Sequence, residues 1–138
     1  MSQLDEFNQG VIKEFHANQG VVGGQMAGMP VLLLTTTGAK SGRSLTRPLC
    51  YTRDGDRIVV IASFAGAPHS PPWYHNLVAN PLATVELGAD SFKVRATVAP
   101  VSERQRLYDQ QAQQMPIFAD YQKKTTRQIP VVLLTRID

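Results

Sequence analysis

The stretch LTRPLCYTRDGDRIVVIAS, Leu45 to Ser63, decides the fold, because Asp54-Gly55-Asp56 sits between two apolar-rich runs. Asp-Gly in that setting is a strong hairpin signal, so Leu45–Arg53 and Arg57–Ser63 are expected to be strands paired antiparallel. Upstream, PVLLLTTTG from Pro30 to Gly38 is apolar and β-branched, as a largely buried strand is, and GAKSGRS links it onward. Downstream, Leu82–Leu87 and Ser91–Ala99 form a second hairpin around Gly88-Ala89-Asp90, and IPVVLLTRI from Ile129 gives the last strand.

Helices fall at the margins of this strand-rich pattern. Leu4, Phe7, Val11 and Phe15 recur at steps of three and four, which predicts an amphipathic helix from Gln3 to about Ala17, stopped by the glycines of NQGVVGG (Asn18 to Gly24). Ser70-Pro71-Pro72 opens a short helix, with Ser70 as its cap, and Asn80-Pro81 closes it. Ser102 with Gln105 has the spacing of a capping box for a helix to about Gln114, and Ile117 to about Thr125 reads as another. Antiparallel hairpins with marginal helices predict an α+β protein built on a small antiparallel, barrel-like sheet. No G-x-G-x-x-G lies between a strand and a helix, which argues against a doubly wound dinucleotide fold.

The 138 residues are 43% hydrophobic and suffice for one core, so residues 1–138 are taken as a single domain with residues 1–17 as its N-terminal helix. No apolar run approaches the roughly 20 residues that cross a bilayer, and MSQLDEFNQG lacks the order of a secretory signal, so a cytoplasmic location is expected. The first helix carries Asp5 and Glu14 with only Lys13 as cation on its polar face, which favours packing on the barrel over more than peripheral contact with the inner membrane face. The single cysteine, Cys50, forms no internal disulfide, and His16, His69 and His75 lack metal-site spacing, so no metal is expected. A net charge of +3 is a modest bias toward anionic partners, but the cations are dispersed without an aromatic ladder, and nucleic acid is not among the expected partners. There is no G-x-S-x-G to suggest serine hydrolysis.

Four stretches carry possible chemistry. Thr35 to Arg43 runs from a strand end into a glycine-bracketed turn with Lys40 and Arg43; it suits a phosphate or carboxylate, or is a solvated basic turn, and its spacing is not that of a nucleotide-binding loop. Arg47 and Arg53, six apart, extend the positive patch if they share a strand face. Ile61 to Ala67 places small residues where a flat ring can approach the main chain, or is a plain strand exit. Pro71 to Leu77 carries the only tryptophan, Trp73, as core or as wall, and Met115 to Tyr121 puts Phe118 and Tyr121 on one helix face as a lid or a core stripe.

In this order and spacing, LLLTTTGAKSGR, RPLCY, IASFAG, PPWYHNLVANP and YQKKTTRQIPVV closely resemble the deazaflavin-dependent nitroreductase family of actinobacteria, from about Gly20 to Arg136. The resemblance implies a split β-barrel of the FMN-binding type with peripheral helices, holding coenzyme F420. It places the anionic tail on Lys40, Arg43 and the amides of Ser41 and Gly42, with Arg47 in support because Leu45 stands where relatives often have a basic residue. It borders the ring with Pro48, Leu49, Cys50, Ala62, Ser63, Phe64 and Ala65, and sets Trp73 beside the groove. Cys50, Met115, Phe118 and Tyr121 are the implied substrate contacts, with Cys50 and Phe118 replacing two tyrosines of the nitroimidazole-reducing relatives. Ser63 at the reacting face and Tyr121 as proton donor are the implied catalytic residues. The expected activity is hydride transfer from reduced F420 to a small oxidised acceptor such as a quinone, enone or nitroaromatic, by a monomer or homodimer. An FMN-binding oxidoreductase and a non-catalytic F420 carrier are the competing readings.

Overall fold

The structure, a computed structural model, describes residues 3–23 and 28–137, with side chains from Glu6 onward in the first helix. The side chains of Leu4 and Asp5, read into the two faces of that helix, and Gly24 of its stop lie outside what is described.

Seven strands make one antiparallel sheet: β1 (Val31–Thr37), β2 (Ser44–Cys50), β3 (Thr52–Asp54), β4 (Arg57–Ile61), β5 (Leu82–Leu87), β6 (Asp90–Val98) and β7 (Val131–Arg136). Their order across the sheet is β2-β1-β5-β6-β7-β4-β3. β2 and β3 are thus the two outermost strands, although a single residue, Tyr51, separates them in the chain. The sheet must therefore curl until its edges meet end to end, which is the split barrel.

This corrects the expectation of one strand from Leu45 to Arg53. The segment breaks at Tyr51, whose N–H donates to the Pro30 carbonyl at 3.2 Å. Its first half pairs with β1 and only Thr52–Asp54 pairs with β4. The Asp54–Arg57 pair leaves Gly55-Asp56 as the turn, and Leu87–Asp90 likewise leaves Gly88-Ala89.

The apolar runs of β4 and β7 are unbroken because both faces are covered. Ile58, Val60, Val132 and Leu134 point into the barrel with Leu32, Leu34, Val85 and Val94. The alternate residues Val59, Ile61, Val131 and Leu133 face outward onto Leu107, Tyr108 and Phe118 of two helices, α3 (Val101–Gln114) and α4 (Ile117–Lys123). α1 (Gln3–Ala17) buries Val11 and Phe15 against Val22, Val31 and Leu33, while Phe7 stays largely exposed. α2 (Pro72–Ala79) sets Trp73 and Leu77 at one end of the barrel core.

Neither serine caps its helix. α2 and α3 are entered through Pro71 and Pro100, both extended and neither offering a side-chain cap. Pro72 at the first helical position removes one amide that would need an acceptor, and the Pro100 carbonyl accepts from the N–H groups of Glu103 and Arg104 at 2.9 and 3.0 Å. Ser102 consequently lies inside the first turn.

Candidate functional site

A cavity of about 460 Å3 opens between β2, the loop leaving β4, the start of α2 and the face of α4. That volume is within the range of small-molecule and cofactor sites, roughly 300–1,000 Å3. β2 brings Leu45, Arg47, Pro48, Leu49 and Cys50 to it, because the edge strand keeps one side open to the groove. α2 contributes Pro72 and the buried Trp73, α4 contributes Phe118 and Tyr121, and α1 reaches it with Asn8.

The remaining wall is Ile61 to Ala67, and its backbone is unusual. Ser63 is right-handed, at φ −74° and ψ −37°, and Phe64, Ala65 and Gly66 follow at φ +47°, +54° and +80°. Left-handed backbone costs a non-glycine residue about 1–2 kcal/mol, so two such residues in succession need support from elsewhere. The N–H groups of Gly66 and Ala67 close the turn onto the carbonyls of Ser63 and Phe64 at 2.9 and 3.0 Å. Those of Phe64 and Ala65 have no backbone partner among the described residues. A right-handed residue followed by a left-handed one turns successive amides toward a common point, which suits a carbonyl or anionic oxygen.

Support comes from Arg127. Its Nη2 donates to the carbonyls of Ala62 and Ser63 at 3.2 and 2.9 Å, its Nε to that of Ala67 at 2.9 Å, and its Nη1 to the Ser70 hydroxyl at 3.2 Å. Ser70, expected as a helix cap, thus serves this clamp. Gly66 also packs tightly: a Cβ there would lie 2.9 Å from both the Tyr121 carbonyl oxygen and Lys124 Cβ.

The lining holds no redox group of its own that is ready to react. Burial pushes the Cys50 thiol up to about 11, so it stays protonated, and its Sγ contacts Met29 Sδ at 3.7 Å. Burial, and secondarily Cys50, also raises the Tyr121 phenol, which keeps its proton at neutral pH and can donate it. Phe118 meets Tyr121 edge to face at 5.4 Å, and the Phe118 carbonyl accepts from the Tyr108 hydroxyl, which fixes α4 on α3. A largely apolar slot walled by the left-handed Ser63–Ala65 turn on one side and by Phe118 and Tyr121 on another has the size and lining of a site for a ring-shaped ligand.

The basic turn lies outside the cavity, at the β2 end where Leu45 begins the lining; Lys40, Ser41, Gly42 and Arg43 are all exposed. The turn is closed by its own bonds, Gly42 N–H to the Gly38 carbonyl at 3.0 Å and Gly38 N–H to the Arg43 carbonyl at 2.8 Å. The Gly42 amide, implied as a tail contact, is therefore already engaged. Asn76 of α2, 7% exposed, ties the turn down: its Oδ1 accepts from Ala39 N–H at 2.9 Å, and its amide donates to Thr36 Oγ1 at 3.0 Å.

Of the residues singled out in the sequence, Arg47, Pro48, Leu49, Cys50, Ser63, Phe64, Ala65, Trp73, Phe118 and Tyr121 converge on the cavity. Ala62 is buried immediately behind it. Met115 is not part of this lining; it is buried among Leu107, Tyr108 and Phe118 and borders a separate hollow with Met29 and Pro30. Arg53 does not share a strand with Arg47, because the break at Tyr51 pairs it with β4; its guanidinium lies 6.0 Å from the Tyr51 ring, and it is not part of the cavity lining. Sequence reading missed Asn76 and Arg127. Asn76 had a faint signal as a polar residue among the apolar ones of α2, whereas Arg127 reaches partners 57–65 residues away that no local pattern marks.

Comparison with known proteins adds an independent line. A model of the F420H(2)-dependent quinone reductase family matches residues 9–136. An F420H(2)-dependent quinone reductase of Mycobacterium tuberculosis is 41% identical over 128 residues, spanning 88% of this chain and 85% of that protein. The solved structure of an F420-H2 dependent reductase is 36% identical with a TM-score of 0.70, over 76% of this chain and 93% of its own. A second solved structure, a domain-swapped dimer, is 30% identical with a TM-score of 0.72, over 96% of this chain and 99% of its own. Split barrel, groove and sequence agree, and the chain belongs to the F420H(2)-dependent quinone reductase family.

Proposed function

We propose that this chain passes a hydride from reduced F420 to a quinone, with enones and nitroaromatics as further acceptors. The observation that carries the reading is the largely apolar slot of about 460 Å3, walled by the left-handed Ser63–Ala65 turn, Trp73, Phe118 and Tyr121, next to an exposed cationic turn. When bound, the reduced deazaflavin supplies two electrons at once as hydride. Lys40 and Arg43 hold the anionic tail by charge-assisted hydrogen bonds, with Arg47 between turn and slot. The Ser63–Ala65 wall and Trp73 fix the ring plane, so the acceptor meets it in one orientation. Phe118 and Cys50 keep the acceptor's side dry, and Tyr121 supplies the proton that, with the hydride, converts a quinone to a hydroquinone. Ser63, 7% exposed, orients the reacting face through its hydroxyl.

Fluorescence titration of the purified protein with F420 and separately with FMN tests this, followed by turnover of a soluble quinone with reduced F420. Tight F420 binding and quinone reduction are expected. Tight FMN binding without F420 binding overturns the reading, and tight F420 binding with no acceptor reduced identifies a carrier. No described helix is long and apolar enough to cross a membrane, and peripheral contact through α1 is tested by vesicle flotation. The domain-swapped relative supports a homodimer, which light scattering checks.

A further inference from the structure

We propose that Arg127 is the positioning residue of the site: its planar guanidinium, by spanning the carbonyls of Ala62, Ser63 and Ala67, holds the left-handed Phe64–Gly66 turn in the shape that receives the coenzyme ring. The inference rests on the reading above for the ligand, and on geometry alone for the clamp.

Four observations carry it. Consecutive left-handed backbone at Phe64 and Ala65 is intrinsically unfavourable, and the turn's own two hydrogen bonds leave the carbonyls of Ala62 and Ala67 unused on its outer side. Arg127 takes both of these carbonyls, and that of Ser63, with one fork. A lysine in that place has a single ammonium on a flexible stem and lacks the planar fork that reaches three carbonyls from two nitrogens.

Arg127 is itself held. Its carbonyl accepts from Gln122 Nε2 at 2.8 Å, and Gln122 Oε1 accepts from Ile129 N–H at 3.2 Å and from an Arg104 guanidinium N–H at 2.6 Å. Arg104, only 7% exposed, also donates to the Ile129 carbonyl at 3.0 and 2.8 Å. The clamp is thus braced on α3 and α4 and does not ride on a free loop. Finally, every residue from Ser63 to Ala65 lines the cavity whereas Arg127 does not, so it acts on the site through the wall.

The test compares Arg127→Lys and Arg127→Met with the unaltered chain and with Val85→Ala, a barrel-core change on β5, outside the cavity lining, that serves as a stability control. In both Arg127 variants, amide hydrogen exchange at Gly66 and Ala67 is expected to accelerate with no coenzyme present, and the F420 dissociation constant to rise about tenfold or more. The quinone KM at saturating coenzyme is expected to change less than the coenzyme affinity, and Val85→Ala to leave that affinity unchanged at a comparable loss of melting temperature. If Arg127→Lys keeps native exchange at Gly66 and Ala67 and native F420 affinity, charge alone suffices and the positioning role is wrong. If Val85→Ala weakens F420 as much as the Arg127 variants do, the effect is general loosening and the proposal also fails. An unaltered chain that does not bind F420 refutes the functional reading, while the exchange measurement still decides the clamp.

Discussion

Two glycine-bearing loops flank the groove, and they are built in opposite ways. The turn Gly38–Arg43 is exposed, closes on its own carbonyls and needs one outside anchor, Asn76. The wall Ser63–Ala67 includes two non-glycine residues in left-handed backbone and depends on a guanidinium from a distant part of the chain. The first is a local structure that presents charge; the second is a shape imposed from outside. A loop of the first kind should tolerate change in fold and show it in binding, and a loop of the second kind should show it in both.

The largest expected effect is Gly66→Ala. Left-handed backbone at φ +80° and the overlap of a Cβ with the Tyr121 carbonyl oxygen combine to cost about 2–4 kcal/mol in urea unfolding. Removing the charges of the other loop comes next: Lys40→Ala and Arg43→Ala should each weaken F420 about tenfold in fluorescence titration, with the melting temperature held. Gly42→Ala is the sharper control for the comparison. Its φ of +72° is almost that of Gly66, but nothing lies within 4 Å of the added Cβ, so about 1 kcal/mol is expected from backbone strain alone. Equal costs at Gly42 and Gly66 would show the two loops to be held alike.

The smallest effect lies in neither loop. Asp54, hydrogen-bonded by Arg106 and Arg57, is lowered from 3.8 to about 2. Because the folded chain holds this proton less tightly than the unfolded one, its contribution is complete above about pH 4 and is lost as pH falls through about 2. Acid unfolding of Asp54→Asn should lack that component, whereas the loop variants above should retain it.

The same contrast explains what was legible in the sequence. Asp54-Gly55 and Gly88-Ala89 mark their turns through local chemistry, and the unbroken apolar runs of β4 and β7 and the stripe of Val11 and Phe15 mark elements by burial, so most strands and the first helix could be read to within a residue or two. The basic turn stood out for the same reason. The break at Tyr51 did not, because nothing in LCYTR distinguishes a straight strand from one whose halves serve opposite edges of a curled sheet; closure is a property of all seven strands. The prolines before α2 and α3 displaced the serine caps since a fixed extended φ sets the entry without a side-chain acceptor. Most of the slot was reached only through family resemblance, and its clamp through neither route, because Ser63 and Arg127 meet only after the barrel has formed.

The strand order also bears on how the molecule comes into being. β7, last of the seven along the chain, lies between β6 and β4 and is the sole bridge between a four-strand ribbon, β2-β1-β5-β6, and the small β4-β3 hairpin. Until residues Val131–Arg136 dock, the newborn polypeptide holds two unjoined pieces, each with a raw edge and an uncovered apolar face. Assembly of the sheet must therefore await the last of its seven strands, and a nascent chain that stalls short of it is exposed to sticking to its neighbours.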